Sequence, residues 1–154
     1  MVSKAPREQW DQQEILYASG EGHRRFGRFL DLYEASCWRY IETALPEVEK
    51  SLILEAGCGT GRWVERLAPL GYQMVLSDLS SEMIRCAHDK VERLGLSDHV
   101  VAYYVLDICQ MHALPEASFD LVLAFIGGAE LVPRRQACCQ RAPPRDQAWR
   151  LCDL

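Results

Sequence analysis

SLILEAGCGTG, residues 51–61, is an apolar run that breaks into three glycines at alternate positions, Gly57, Gly59 and Gly61. A short buried strand followed by a turn that only glycines fit is the simplest reading. Downstream, Trp63, Val64, Leu67 and Ala68 resume helical spacing, so the unit reads strand, glycine turn, helix. Gln73 to Ser77 repeats the short apolar run and ends on Asp78. Ser80 is a natural N-cap for a helix with the stripe Met83, Ile84, Ala87, Val91 and Leu94, and Gly95 stops it. Val100 to Leu106 is rich in β-branched and aromatic residues and ends on Asp107, while Phe119 to Phe125 repeats the form and ends at Gly127-Gly128. Upstream, Phe26, Phe29, Leu30, Tyr33, Cys37, Ile41 and Leu45 line one face of a helix over residues 24–45, closed by Pro46 and expected to pack on the core. His23, Arg24, Arg25 and Arg28 would then be solvated. Continuous apolar strands alternating with helices predict an α/β fold with a doubly wound parallel sheet.

The 154 residues, 49% hydrophobic and 25% charged, suit one domain with a single core. A formal charge of -5 supplies no broad basic surface, so neither nucleic acid nor an anionic membrane is expected as a partner. Met1 to Trp10 is charged, and no stretch approaches the ~18 apolar residues of a membrane span, which predicts a cytoplasmic chain. The seven cysteines, Cys37, Cys58, Cys86, Cys109, Cys138, Cys139 and Cys152, include no Cys-x-x-Cys pair and no companion histidine at ligand spacing. Reduced, mostly buried thiols and no metal site are expected.

An open α/β sheet binds its ligand beyond the carboxyl ends of its strands. Glu55, Asp78 and Asp107 end or nearly end three consecutive strands there, beside a turn whose missing side chains let a ligand approach the backbone. That arrangement suits a nucleoside. Asp78 can accept from both ribose hydroxyls and Asp107 from an exocyclic adenine amine, although an Asp at a strand end also commonly caps the next helix.

Glu55-Ala56-Gly57-Cys58-Gly59-Thr60-Gly61 resembles motif I of the class I S-adenosylmethionine-dependent methyltransferases. Asp78 resembles the family's acidic ribose-binding position, Asp107-Ile108 its adenine-binding pair, and Phe119-Asp120-Leu121-Val122 the start of its fourth strand. The resemblance covers about residues 50 to 130. It implies a Rossmann-like domain over residues 46–130 with S-adenosylmethionine as methyl donor, preceded by a helical or lid segment, residues 1–45, in which Trp10 and Tyr17 are candidate contacts. By the same resemblance Gly57 and its neighbours hold the methionine moiety, Met83 or Leu79 packs on the adenine, the Ile108 backbone bonds its edge, and Ala124 completes the donor site.

The main rival is a nicotinamide-dependent oxidoreductase, whose Gly-x-Gly-x-x-Gly turn needs a third glycine for close helix packing; Arg62 stands there. The charge of Glu55 would also repel a diphosphate, whereas it suits a ligand carrying an ammonium and a sulfonium. Methyl transfer from an activated donor rests largely on alignment, so an obvious acid or base is not required. His112 lies in a loop and Asp120 at the wrong end of its strand, and no catalytic residue is assigned.

From Leu131 to Leu154 the character changes. Arg134, Arg135, Arg141, Arg145 and Arg150 face only Asp146 and Asp153, and the stretch shows no periodicity. A flexible basic tail that meets a partner is the plain reading, but the resemblance requires a helix, a Lys/Arg-Pro-Gly-Gly turn and a fifth strand. Codons compatible with residues 131–153, read one base later, can spell these elements, and the single Trp149 codon then forces a glycine where the family places one. The expectation is a frameshifted or truncated member with strands one to four only, an exposed fourth strand prone to pairing or aggregation, and impaired transfer to an unidentified acceptor. Completion by a partner chain, or a noncatalytic nucleoside-binding role, are the other readings.

Overall fold

The computed structural model describes residues 21–49, 51–114 and 118–124, with backbone alone at 21–26, 30 and 113. Trp10, Tyr17 and residues 131–154, on which the lid and tail expectations fall, lie outside the described residues, as do Phe125 and Gly127-Gly128.

Helix α1 (Glu21–Ala44) precedes β1 (Leu52–Ala56). A short α2 (Val64–Leu67) runs into a 3-10 turn at Ala68–Leu70, where Gly71, at φ 98°, reverses the chain into β2 (Gln73–Asp78). Helix α3 (Ser81–Arg93) starts at Ser80, whose hydroxyl accepts from the Met83 amide at 3.1 Å, and stops at a left-handed Gly95. Strand β3 (Val100–Val105), a 3-10 helix (Ile108–Ala113) and β4 (Leu121–Leu123) complete the described chain.

The four strands pair in parallel in the order β3-β2-β1-β4. The central strands β1 and β2 are covered on both faces, which is why LILEA and QMVLSD read as near-continuous apolar runs rather than alternations. On one face Ile53, Met74, Leu76 and Leu123 pack with Cys37 and Ile41 of α1, Val64 and Leu67 of α2, and Ile84, Ala87 and Val91 of α3. On the other, Leu54, Ala56, Val75 and Ala102 pack under Leu114, with Ile108, Met111 and Phe119 against them. Among the described residues every α-helix that reaches the core therefore lies on one face.

Two expectations change. The α1 stripe is not core along its length: Ile41 and Cys37 are buried and Tyr33 half-buried, but Phe29 is 70% exposed. Each i+4 step along an α-helix drifts about 40° around its axis, so Phe29 sits about 120° from Ile41 and leaves the core. Strand β4 is also shorter than the apolar run Phe119 to Phe125. Its entry is pinned by Asp120, whose Oδ2 accepts from the Leu52 amide at 2.9 Å while the Asp120 amide donates to the Leu52 carbonyl at 2.9 Å. Phe119 thus precedes the strand and covers the second face. Strand β4 is the last strand of the described sheet on its side, with Val122 half exposed.

Leu76→Ala, at a fully buried site in the middle of β2, is expected to cost about 3 kcal/mol of stability. An unchanged urea midpoint would contradict the packing described.

Candidate functional site

Strand order places β2 and β4 on opposite sides of β1, so the chain reverses its winding at β1, the position beyond whose strand carboxyl ends open α/β sheets bind ligands. The register aligns Ala56 with Ser77, Asp78 with Val105, and Glu55 with Leu123. The glycine turn, Asp78 and the start of the Asp107 loop consequently share one edge of the sheet.

Three consecutive amides fasten the turn to β2. Gly57 and Cys58 both donate to the Ser77 carbonyl, at 2.7 and 2.9 Å, and Gly59 donates to Asp78 Oδ2 at 2.8 Å. Gly57, Gly59 and Gly61 all adopt positive φ. A Cβ on Gly61 would lie 3.2 Å from Val64 Cγ1 and 3.4 Å from Ala87 Cβ, so its missing side chain lets α3 approach the turn. A Cβ on Gly59 would meet nothing within 4 Å: this backbone faces open space that a ligand can enter.

Asp78 and Asp107 both have local duties. Asp78 Oδ1 accepts from the Ser80 amide at 2.9 Å, and Asp107 Oδ1 accepts from the Cys109 amide at 2.8 Å at the start of the 3-10 helix. Asp107 therefore caps its 3-10 helix and Asp78 ties the glycine turn to the residue that caps α3, and a carboxylate oxygen can accept from more than one donor. Leu79 and Ile108 are half-buried at this edge, Met83 is buried, and Ala124 is exposed just past β4. His112 lies on the exposed side of its 3-10 helix, and Asp120 sits at the amino end of β4, away from the site edge.

Glu55 is enclosed. Only 3% exposed, it places Oε1 3.4 Å from the Trp63 amide, so the carboxyl bridges the two ends of the glycine turn. Oε2 is buried and has no hydrogen-bond partner among the described residues. Burial pushes its pKa up to about 8, against the lowering effects of the Trp63 amide, Lys90 and Arg62. Burial likewise raises the Cys58 thiol, with Glu55 and Asp78 adding to it, so Cys58 is a protonated packing group rather than a nucleophile. Cys37 is also buried, Cys86 is half-buried and Cys109 exposed, and none of the four forms a disulfide. No group of residues among those described could hold a metal ion.

Helix α1 braces the far end of the turn. Glu34 pairs with Arg62 at 3.0 Å and reaches Arg66 at 3.8 Å. Trp38 stacks on Trp63 at 6.4 Å between centroids, with the Arg66 guanidinium 5.3 Å from the Trp38 ring. Arg62, where a nicotinamide turn needs glycine, thus serves as an anchor to α1. Sequence reasoning missed Ser77, Trp63 and Glu34. Ser77 acts through its carbonyl and Trp63 meets Glu55 through its amide, neither of which gives a side-chain signal, and Glu34 acts across 28 residues of sequence from Arg62.

A carboxyl whose pKa is raised on folding favours the folded state fully below its unfolded value, near 4.5, and loses that contribution as the pH climbs to about 8. Glu55→Gln should therefore flatten the pH profile of stability between these limits and gain a few kcal/mol over the parent at pH 9. Parallel urea titrations from pH 5 to 9 check this; profiles that stay parallel would remove the case for a protonated Glu55.

The methyltransferase domain family's sequence model matches residues 53–142. The chain is 35% identical over 71 residues to the tRNA 5-carboxymethoxyuridine methyltransferase of Escherichia coli, covering 45% of this chain and 27% of that protein. It is 29% identical over 126 residues to the malonyl-acyl-carrier-protein O-methyltransferase of Pectobacterium atrosepticum, covering 74% of this chain and 49% of that one. The chain spans less than half the length of either. Among solved structures, phosphoethanolamine N-methyltransferase of Haemonchus contortus, in complex with phosphoethanolamine and S-adenosylhomocysteine, superposes with a TM-score of 0.54. Its 20% identity, over 80% of this chain and 26% of that one, makes this a likeness of fold. With its glycine turn at the winding reversal of a parallel sheet and the family match running through it, the chain belongs to the class I S-adenosylmethionine-dependent methyltransferases.

Proposed function

We propose that this chain binds S-adenosylmethionine on the glycine turn as the donor side of a methyl-transfer reaction. The observation that carries the reading is the pairing of open space over the Gly59 backbone with a buried, half-satisfied carboxyl, Glu55, inside the same turn. The fit is chemical as well as steric: the Asp78 carboxylate lies against the turn, and the donor is a cation.

In this reading Gly57, Cys58 and Gly59, with Glu55 and Ala56 before them and Gly61 after, hold the aminoacyl end. The Asp78 carboxylate takes the ribose hydroxyls and that of Asp107 the adenine amine. Leu79 and Ile108, which are half-buried, flank the base, and Met83 is already covered. Ala124 borders the crevice past β4. The bound donor supplies a methyl group on a sulfonium, already activated for in-line displacement by a nucleophile of the acceptor. The protein's part is to orient that group, and no described side chain is assigned as acid or base.

By their names the relatives act on different acceptors, so no acceptor is carried over. The impairment expected from residues 131–154 lies outside the described residues, and donor binding is the property to test. No described helix is long and apolar enough to cross a membrane.

Isothermal titration with S-adenosylhomocysteine should give saturable one-to-one binding. Gly59→Val, which strains a φ of 54° and fills the open space, should weaken it by about tenfold or more, equivalent to about 1.4 kcal/mol. Binding that survives in Gly59→Val, with its fold verified by circular dichroism, would refute the assignment of the turn.

A further inference from the structure

We propose that Glu55 gives up a proton when an aminoacyl nucleoside settles on the glycine turn, so that donor binding releases a proton and discriminates for ligands with a free ammonium. The inference rests on the donor-site reading above.

The geometry is that of an incomplete ion site. The carboxyl is closed in by the turn, takes one long hydrogen bond from the Trp63 amide at 3.4 Å, and leaves Oε2 buried without a partner among the described residues. An ionised carboxylate held so poorly is expensive in a low-dielectric interior, and the group escapes that cost by staying protonated. The charged and titratable groups around it do not remove the cost. Lys90 on α3 lies 2.6 Å from Glu65, and Arg62 at the end of the turn lies 3.0 Å from Glu34, so both cations are already matched. Asp78 at the end of β2 adds negative charge, and Cys58 in the turn is a neutral thiol. The neighbours of Glu55 on β4, Val122 and Leu123, carry no charge. Burial accordingly holds Glu55 protonated at neutral pH.

The turn, open on its Gly59 side, has to give way for a ligand ammonium to reach the enclosed Oε2, where it supplies the missing counter-charge and donors at once. The favoured state becomes carboxylate against ammonium. The O–H bond of the Glu55 carboxyl breaks, its electron pair stays on the carboxylate, and the proton passes to solvent, while the ligand ammonium keeps all of its own protons. A nucleoside thioether with the same base and sugar but no amino acid cannot drive the exchange. The turn therefore reads the ammonium through a proton rather than through a standing negative charge, which would also attract inorganic cations.

The test is calorimetry of the full chain at pH 6.5 in phosphate, imidazole and Tris, whose different ionisation heats report the protons released. S-adenosylhomocysteine and 5′-methylthioadenosine are the two probes. At this pH the ligand amine, with an ordinary pKa of about 7.7–8.0, stays charged throughout. The expected result is release of about one proton with S-adenosylhomocysteine, an affinity rising about tenfold from pH 5.5 to 6.5, and no release with 5′-methylthioadenosine. Glu55→Gln should bind S-adenosylhomocysteine without proton release. Should that variant not fold, the comparison of probes on the unaltered chain decides. Saturable binding of S-adenosylhomocysteine with no proton released overturns this inference and leaves the donor site standing. Failure of both probes to bind overturns the donor-site reading and this inference with it.

Discussion

The site depends on how β2 ends. Its last two residues take the amides of Gly57, Cys58 and Gly59 on the Ser77 carbonyl and the Asp78 carboxylate, and Asp78 at the same time takes the amide of Ser80. One short segment thus fastens the glycine turn to its neighbouring strand and sets where α3 begins. Buried amides left unpaired would be costly, so these bonds hold a loop of three positive-φ glycines in a single conformation despite its intrinsic freedom. The parallel register of β1 and β2, Ala56 against Ser77, is what brings donors and acceptors into range.

The opposite end of the turn is secured by different physics. Arg62 and Arg66 reach Glu34, Trp63 stacks on Trp38, and Cys37 and Ile41 seat the helix that carries these partners. The ion pairs are partly exposed and individually contribute little. The buried aromatic and aliphatic contacts supply most of the attachment. One consequence is that the cations nearest Glu55 are engaged elsewhere, and the carboxyl inside the turn is left half-satisfied. Natural interiors rarely tolerate such a group without a use for it.

The two faces of the sheet differ. Among the described residues one carries three helices and a large core, and the other is covered by the 3-10 helix at Ile108–Ala113, Leu114 and Phe119. Asp107 caps the helix that opens that thinner cover and Asp78 holds the amide of Ser80, the cap of α3, so both carboxylates combine a structural bond with a position on the site edge. A cap and a ligand contact are not exclusive alternatives for an aspartate at a strand end.

Local chemistry was enough to read the order of strands and helices, the glycine turn, the Ser80 cap and the Gly95 stop, because each follows from neighbours within a few residues. The motif-bearing carboxylates Glu55, Asp78 and Asp107 were legible for the same reason. Three-dimensional packing alone decided the rest. Phe29 belongs to the apolar row of α1 in sequence, yet the drift of that row around the helix carries it into solvent. The Ser77 carbonyl and the Trp63 amide make bonds that no side-chain pattern reveals, and Glu34 meets Arg62 only because α1 and the turn pack on the same face. Glu55 was visible from sequence as a charge suited to a cation, but burial, which depends on every element around it, determines that it stands protonated and half-paired.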